Sequence, residues 1–244
     1  MAENKPQQKN NSNLILGVDD AGRGCVIGNM VLAGCIMMEE GEAEFKKLGI
    51  KDSKLLSPLQ REKLVETIKE KAMDTYYFMA TPIEIDTGFG MGLNLNQVEA
   101  LAAASIINEL TRKLSSEQKS TLKIILDCPS INTAGWKNQL MEYVKEKSLE
   151  KNIVCEHKAD FYYPVVSAAS IIAKTTRDAE IEKLKEKYKV DFGSGYPADP
   201  YTKEFLKENA LNPIYEGLFR KSWATWQAAA NLKDKKPGKQ ATLF

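Results

Sequence analysis

The chain of 244 residues carries 34 lysines and arginines against 33 aspartates and glutamates, a formal net charge of +1, with 43% hydrophobic and 27% charged residues. These are ordinary proportions for a globular protein, and they exclude a histone-like or polybasic nucleic-acid packager. They leave room for a nucleic-acid enzyme whose acidic metal site offsets a basic binding face, and the length predicts one large domain with an appendage.

Residues 1–13 are polar, rich in Asn and Gln and without periodicity, and predict a disordered leader. The apolar run 14–18 predicts a buried strand running into the glycine-bearing turn Asp19-Asp20-Ala21-Gly22-Arg23-Gly24. A second strand is expected over 27–38 and a polar loop over 51–57. A helix follows from Pro58 to about 71, with Ser57 as N-cap. A third strand is expected over 74–81. Apolar residues at 98, 101, 102, 106 and 110 predict a helix over 96–113.

Strand four falls at 124–127, a helix at 134–147 and strand five at 153–155. Pro164 opens a long helix over 165–188, small and apolar in its first half and charged in its second. A GSGYP turn (193–197) and helices over 200–208 and 221–232 complete the order. Short links suit an antiparallel meander for strands one to three. The intervening helices suit parallel crossovers for strands four and five. The expected fold class is α/β, a mixed five-stranded sheet flanked by helices, with a helical C-terminal extension.

Cys25, Cys35, Cys128 and Cys155 make no C-x-x-C pattern and are expected to be small buried hydrophobes in a reducing compartment. His157 is the only histidine, which excludes multi-histidine metal sites and most histidine-based triads. No apolar run approaches the ~18 residues of a membrane span. No hydrophobic signal core opens the chain, so the expected location is cytoplasmic, or nuclear if the source is eukaryotic.

Four aspartates stand where strands end: Asp19 and Asp20 after strand one, Asp127 on strand four, Asp160 after strand five. Ligand sites in open sheets form outside the carboxyl ends of parallel strands, although Asp is also a common turn residue. Clustered carboxylates without histidine point to Mg²⁺ or Mn²⁺. Two such ions about 4 Å apart suit in-line attack on a phosphodiester. Adjacent Asp19 and Asp20 face opposite sides of a strand, so the pair is expected to share one site only if the strand breaks at Asp20. Gly22-Arg23-Gly24 reads either as an ordinary tight turn or as a backbone that approaches a sugar hydroxyl, with Arg23 available to a phosphate.

DDAGRG (19–24), KDSK (51–54), NLN (94–96), HKADFYYPVVSAASIIAK (157–174) and GSGYPADPYT (193–202) occur in that order. Together they resemble ribonuclease HII, the type 2 ribonuclease H, over about residues 14–230, and look more like its archaeal and eukaryotic catalytic chains than its bacterial ones. The resemblance implies a ribonuclease H-like fold. It implies metal-dependent cleavage of the RNA strand of RNA–DNA hybrids and cutting 5′ to single ribonucleotides in duplex DNA, leaving 3′-hydroxyl and 5′-phosphate ends. It therefore implies a part in ribonucleotide excision repair and DNA replication.

Carried onto this chain, the metal-holding catalytic set is Asp19, Asp20, Asp127 and Asp160, with two Mg²⁺ or Mn²⁺ ions. Gly22, Arg23 and Gly24 would read the 2′-hydroxyl, Tyr196 would contact the sugar at the junction, and Ser53 and Lys54 would meet backbone phosphate. The implied division is a leader (1–13), a catalytic domain (14–192), a helical substrate-binding extension (193–232) and a basic tail (233–244), acting as a monomer.

Two departures stand out. The family usually has Asp-Glu where this chain has Asp19-Asp20, and Asp20 is shorter by about 1.5 Å of reach. That supports an alternative, a weakly active or non-catalytic hybrid-binding homologue. The family often has proline at the positions of Cys25 and Asn29, so a looser binding loop is expected here. His157 is expected to be structural or at the substrate edge, and Trp223 and Trp226 to pack the last helix. The tail carries Lys233, Lys235, Lys236 and Lys239 against Asp234. It ends with Gln240, Leu243 and Phe244, which partly resemble the sliding-clamp (PCNA) binding motif.

Overall fold

The computed structural model describes residues 13–50 and 57–230. The readings made for the leader through residue 12, for Ser53 and Lys54, and for the tail with Gln240, Leu243 and Phe244 lie outside the described residues.

Strands β1 (Leu14–Ala21), β2 (Met30–Met38), β3 (Asp74–Ala80), β4 (Lys123–Asp127) and β5 (Ile153–Glu156) form one sheet in the order β3-β2-β1-β4-β5. The first three strands are antiparallel; β4 runs parallel to β1 and β5 parallel to β4. Period-two alternation sends Leu14, Leu16 and Val18 to one face and Ile15 and Ala21 to the other. The first face is covered by α4 (Leu95–Thr111) and α6 (Thr133–Tyr143), the second by α1 (Glu42–Lys47), α2 (Pro58–Lys71) and α8 (Pro164–Tyr188). Because both faces are covered, β1 is buried at nearly every position, and its first five residues, Leu14 to Val18, contain no polar side chain.

The first half of α8, Val165 to Ala173, is buried against β1 and β2. Its close approach depends on Gly17. A Cβ there would stand 2.6 Å from the Val165 carbonyl group and the Val166 nitrogen. The helix backbone therefore lies directly on the strand, which brings Ser170 and Lys174 to the carboxyl end of β1.

The helices start where local chemistry dictates. Ser57 caps α2 with a reciprocal Gln60 bond, and Asn94 caps α4 with Gln97 in the same way. Short helices α3 (Pro82–Gly90), α5 (Ser116–Thr121) and α7 (Ala159–Tyr162) were not expected from the sequence pattern. Helices α9 (Pro200–Asn209) and α10 (Ala224–Ala229) belong to the C-terminal part, whose Phe192, Phe205, Phe219, Trp223 and Trp226 share a hydrophobic core with the α4 face of the sheet. Cys25, Cys35 and Cys128 are buried and Cys155 half-buried, all as free thiols.

Two boundaries differ from expectation in ways that matter. β2 begins at Met30 rather than Ile27. Ile27 instead bridges Phe219, so the intervening turn docks on the C-terminal part. β1 does not break at Asp20. It stays paired with β2 through Ala21, with Asp19 opposite Ala33 and Asp20 opposite Leu32.

Candidate active site

At the carboxyl end of the sheet, the β1–β4 ladder stops at Val18 and Leu126. Asp19 and Asp127 are the next residues on each strand. Beyond that point β1 continues without β4 beside it, and the Asp19 and Asp20 carboxylates both interact with Asp127 although the strand is unbroken. A strand that outruns its neighbour has an open edge, and side chains on both faces can reach around it. The expected strand break is therefore unnecessary.

Asp19 is buried, accepts the Asp20 N–H at 2.8 Å and meets the Ser170 hydroxyl. Burial, then the charges of Asp20 and Asp127, hold its carboxyl well above the usual range. The Asp20 carboxyl is raised by burial and by Asp127, against the opposing pull of Arg23, Lys174 and Arg220. Asp127 accepts the Ala159 N–H at 2.8 Å, which fixes the start of α7 and sets buried Asp160 one residue away.

A fifth acid, Glu99 on α4, is buried in the same field. Its carboxyl is raised well above the usual range by burial and then by Asp20. Sequence reasoning missed Glu99. The available signal was a single acid within the small, apolar run of α4, where an unpaired charge is costly. Its partner is Arg23, whose Nε donates to Glu99 Oε2 at 2.8 Å and whose Nη2 donates to Asn96 Oδ1. Arg23 is thus turned inward, and its side chain does not stand free for a phosphate.

The turn after β1 is held rigidly. Arg220 is fully buried and donates from Nη2 to the Gly22 carbonyl at 2.7 Å, from Nη1 to the Arg23 carbonyl at 2.8 Å and from Nε to the Gly28 carbonyl at 3.1 Å. Gly22 has a φ of +78°, and a Cβ there would come within 2.9 Å of the Asn29 carbonyl oxygen. Val26 and Ile27 donate to the Gly195 carbonyl at 2.9 and 3.2 Å, docking the 193–197 turn on this loop.

Buried Arg177 completes the joint. Its Nη2 donates to Cys25 Sγ at 3.1 Å and to the Ser194 carbonyl, and its guanidinium lies 5.0 Å from the Tyr196 ring centroid. Tyr196 is 40% exposed, and burial of its hydroxyl end pushes its pKa to about 12. The loop for which looseness was expected is anchored by hydrogen bonds from two buried arginines, Arg177 and Arg220. Trp223 and Trp226 are buried, as expected, and His157 bonds the Cys128 carbonyl through Nδ1 at 3.0 Å.

The structure therefore brings together Asp19, Asp20 and Asp127, with Asp160 tethered through Ala159. It places Gly22, Arg23, Gly24 and Tyr196 beside them in one braced unit. Among the described residues, no three His, Cys, Asp or Glu side chains already converge as a finished metal-binding group. The donors present are nevertheless all hard oxygens, and the burial and then mutual repulsion that raise Asp19, Asp20 and Glu99 are of the kind a divalent cation offsets.

Residues 16–226 match the ribonuclease HII family profile. Ribonuclease HII of Pyrococcus horikoshii is 38% identical over 94% of this chain and 97% of its own length. That of Methanococcus maripaludis strain C5 is 39% identical over 89% and 87% respectively. Among solved structures, ribonuclease H2 from Pyrococcus horikoshii superposes with a TM-score of 0.75 at 37% identity, covering 91% of this chain and all of that one. Ribonuclease HII in the PCNA complex from Archaeoglobus fulgidus superposes at 0.73 and 37% identity, covering 91% and 98%.

Proposed function

The chain belongs to the ribonuclease HII family, endoribonucleases that yield 5′-phosphomonoesters and act on RNA–DNA hybrids, and we propose that it also cuts 5′ to single ribonucleotides embedded in duplex DNA. The observation that carries this reading is the joint between the loop and the 193–197 turn: Gly22–Gly24 and Tyr196 are held as one surface beside Asp19 and Asp127. A rigid backbone that accepts a sugar edge suits recognition of a single 2′-hydroxyl, the one group that separates RNA from DNA.

In this reading Asp19, Asp20, Asp127 and Asp160 hold two Mg²⁺ or Mn²⁺ ions. When bound there, the metal would lower the pKa of an attacking water and offset charge on the leaving oxygen. The chain's own contribution is placement. Asp127 orients α7 through Ala159, Ser170 holds the Asp19 carboxylate, and Lys174 moderates the negative field around Asp20. Glu99 keeps Arg23 folded inward, so that the loop offers backbone rather than side chain to the sugar. Tyr196 presents its ring to the sugar at the RNA–DNA junction, and Ser53 and Lys54 meet phosphate.

The reading places the enzyme in the cytoplasm as a monomer, in ribonucleotide excision repair during DNA replication. Among the described residues no helix is long and apolar enough to cross a membrane. The Archaeoglobus relative solved with its clamp supports a clamp contact by Gln240, Leu243 and Phe244. Deleting 240–244 should weaken clamp binding, and unchanged affinity would end that part.

The deciding assay is a duplex with one ribonucleotide, in Mg²⁺ or Mn²⁺. Cleavage 5′ to the ribonucleotide is expected. Binding without cleavage in either metal would favour the hybrid-binding alternative that Asp20 raises, and cutting of all-DNA junctions would point to a different nuclease.

A further inference from the structure

The β4–β5 side of the same face carries exposed side chains to which the reading above assigns no task. After β4 the chain turns through residues 128–132, and after β5 it turns through 157–158 into α7. The two turns are bound together: Cys128 donates its N–H to the Glu156 carbonyl at 2.8 Å, and His157 closes on the Cys128 carbonyl. Asp127 anchors α7 to the site through Ala159.

From this platform Ile131, His157, Lys158, Phe161 and Tyr162 face solvent. Phe161 and Tyr162 are 54% and 62% exposed and meet edge to face at 5.3 Å. Asp160, between Lys158 and Phe161, is buried, so α7 turns its acid inward and its aromatics outward. The sheet order fixes where this strip lies. The loop after β1, with Tyr196 docked on it, is on one side of Asp19 and Asp127, and the β5 turn is on the other.

We propose that His157, Lys158, Phe161 and Tyr162, with Ile131, form a second nucleic-acid contact that holds the substrate flank 5′ to the scissile phosphate. The polarity rests on the cleavage reading above. A cut 5′ to the ribonucleotide leaves that nucleotide on the Gly22–Tyr196 side, so the strand upstream of the cut leaves across the β5 side. The strip has the chemistry for this. The bases of a duplex are already stacked, so the aromatic rings pack on the sugar faces of the backbone, which carry no sequence information, and the lysine meets phosphate as a point charge. The strip adjoins the carboxylate site, because Phe161 follows Asp160 in α7 and Ala159 of the same helix is bonded to Asp127.

The test is affinity by fluorescence anisotropy with the full chain and a single-ribonucleotide duplex carrying about one helical turn on each flank. In two further duplexes the 5′ or the 3′ flank is cut back to a single base pair. The double substitution Phe161→Ala with Tyr162→Ala should weaken binding roughly five- to thirtyfold on the long duplex, the loss expected when two partly buried aromatic side chains no longer cover sugar. That deficit should vanish on the 5′-shortened duplex and persist on the 3′-shortened one, and Phe161→Trp with Tyr162→Phe should bind like the unsubstituted chain. Lys158→Ala should lower the slope of log affinity against log salt by about 1.

No deficit on the long duplex, or a deficit independent of the 5′ flank, overturns the proposal. A separate cleavage assay on the long duplex reads the cut position. A cut elsewhere sinks the cleavage reading while the flank dependence still judges the surface.

Discussion

Arg220 and Gly22 are 198 residues apart in sequence and joined by a 2.7 Å hydrogen bond inside the protein. The same guanidinium serves Arg23 and Gly28, so one side chain from the C-terminal part defines the curvature of the loop after β1. Burial lowers the Arg220 pKa to about 10, which still leaves it charged at neutral pH. Replacing Arg220 with Met should leave three carbonyls without their donors and cost at least about 3 kcal/mol, read by urea unfolding. Single-ribonucleotide cleavage should fall with it, and Arg220→Lys should restore only part of either loss, because an ammonium lacks the planar fork.

Asp20 should be replaceable by the longer acid. The Asp20→Glu variant should keep or raise activity with Mg²⁺, since the unbroken strand and the open edge beside Asp127 leave the added methylene a path toward the same cluster. A large loss of activity would mean that the site is built around the short side chain. Asp19→Asn, by contrast, should lower kcat by roughly a hundredfold or more.

Metal-free protein should show an inverted pH dependence. The carboxyls of Asp19, Asp20 and Glu99 have raised pKa values in the folded state. Between the ordinary carboxylate value of about 4 and those raised values, the folded chain binds more protons than the unfolded chain, so stability falls as pH rises. Thermal melts in chelator should therefore show a declining Tm contribution above pH ~4. Added Mg²⁺ or Mn²⁺ should raise Tm more at neutral than at acid pH. An equal metal effect at both would contradict the carboxylate site.

Gly17→Ala should destabilise the fold by about 2–3 kcal/mol, because the added methyl meets helix backbone rather than a side chain that can swing away. Activity per folded molecule should drop as well, since Ser170 and Lys174 ride on the displaced helix. A melt near the parent value would show that α8 can shift without cost.

The strand order could be read from link lengths and helix placement, and the aspartates were found because they end apolar runs. Glu99 and the two buried arginines were not found, for a common reason. Each is an ordinary charged residue in a helical or loop pattern, and its role comes from a partner 76, 152 or 198 positions away. Local periodicity carries no information about such partners. The boundary at Asp20 was misread because an isolated strand places adjacent side chains on opposite faces. Only the register between β1 and β4 reveals that β1 outruns its neighbour.

The amino-acid sequence by itself determined a mixed α/β sheet, the acidic residues at its carboxyl ends and, through its motifs, a type 2 ribonuclease H. Hydrophobic period, turn residues and strand-terminal acids are short-range properties, and short-range properties survive in a linear string. The tertiary structure alone decided that Arg23 faces inward, that Arg177 and Arg220 brace the loop after β1, and that α7 turns Asp160 in and its aromatics out. Those outcomes are set by desolvation and by hydrogen-bond demand at buried carbonyls and carboxylates. Such demands arise only once distant segments have been packed together.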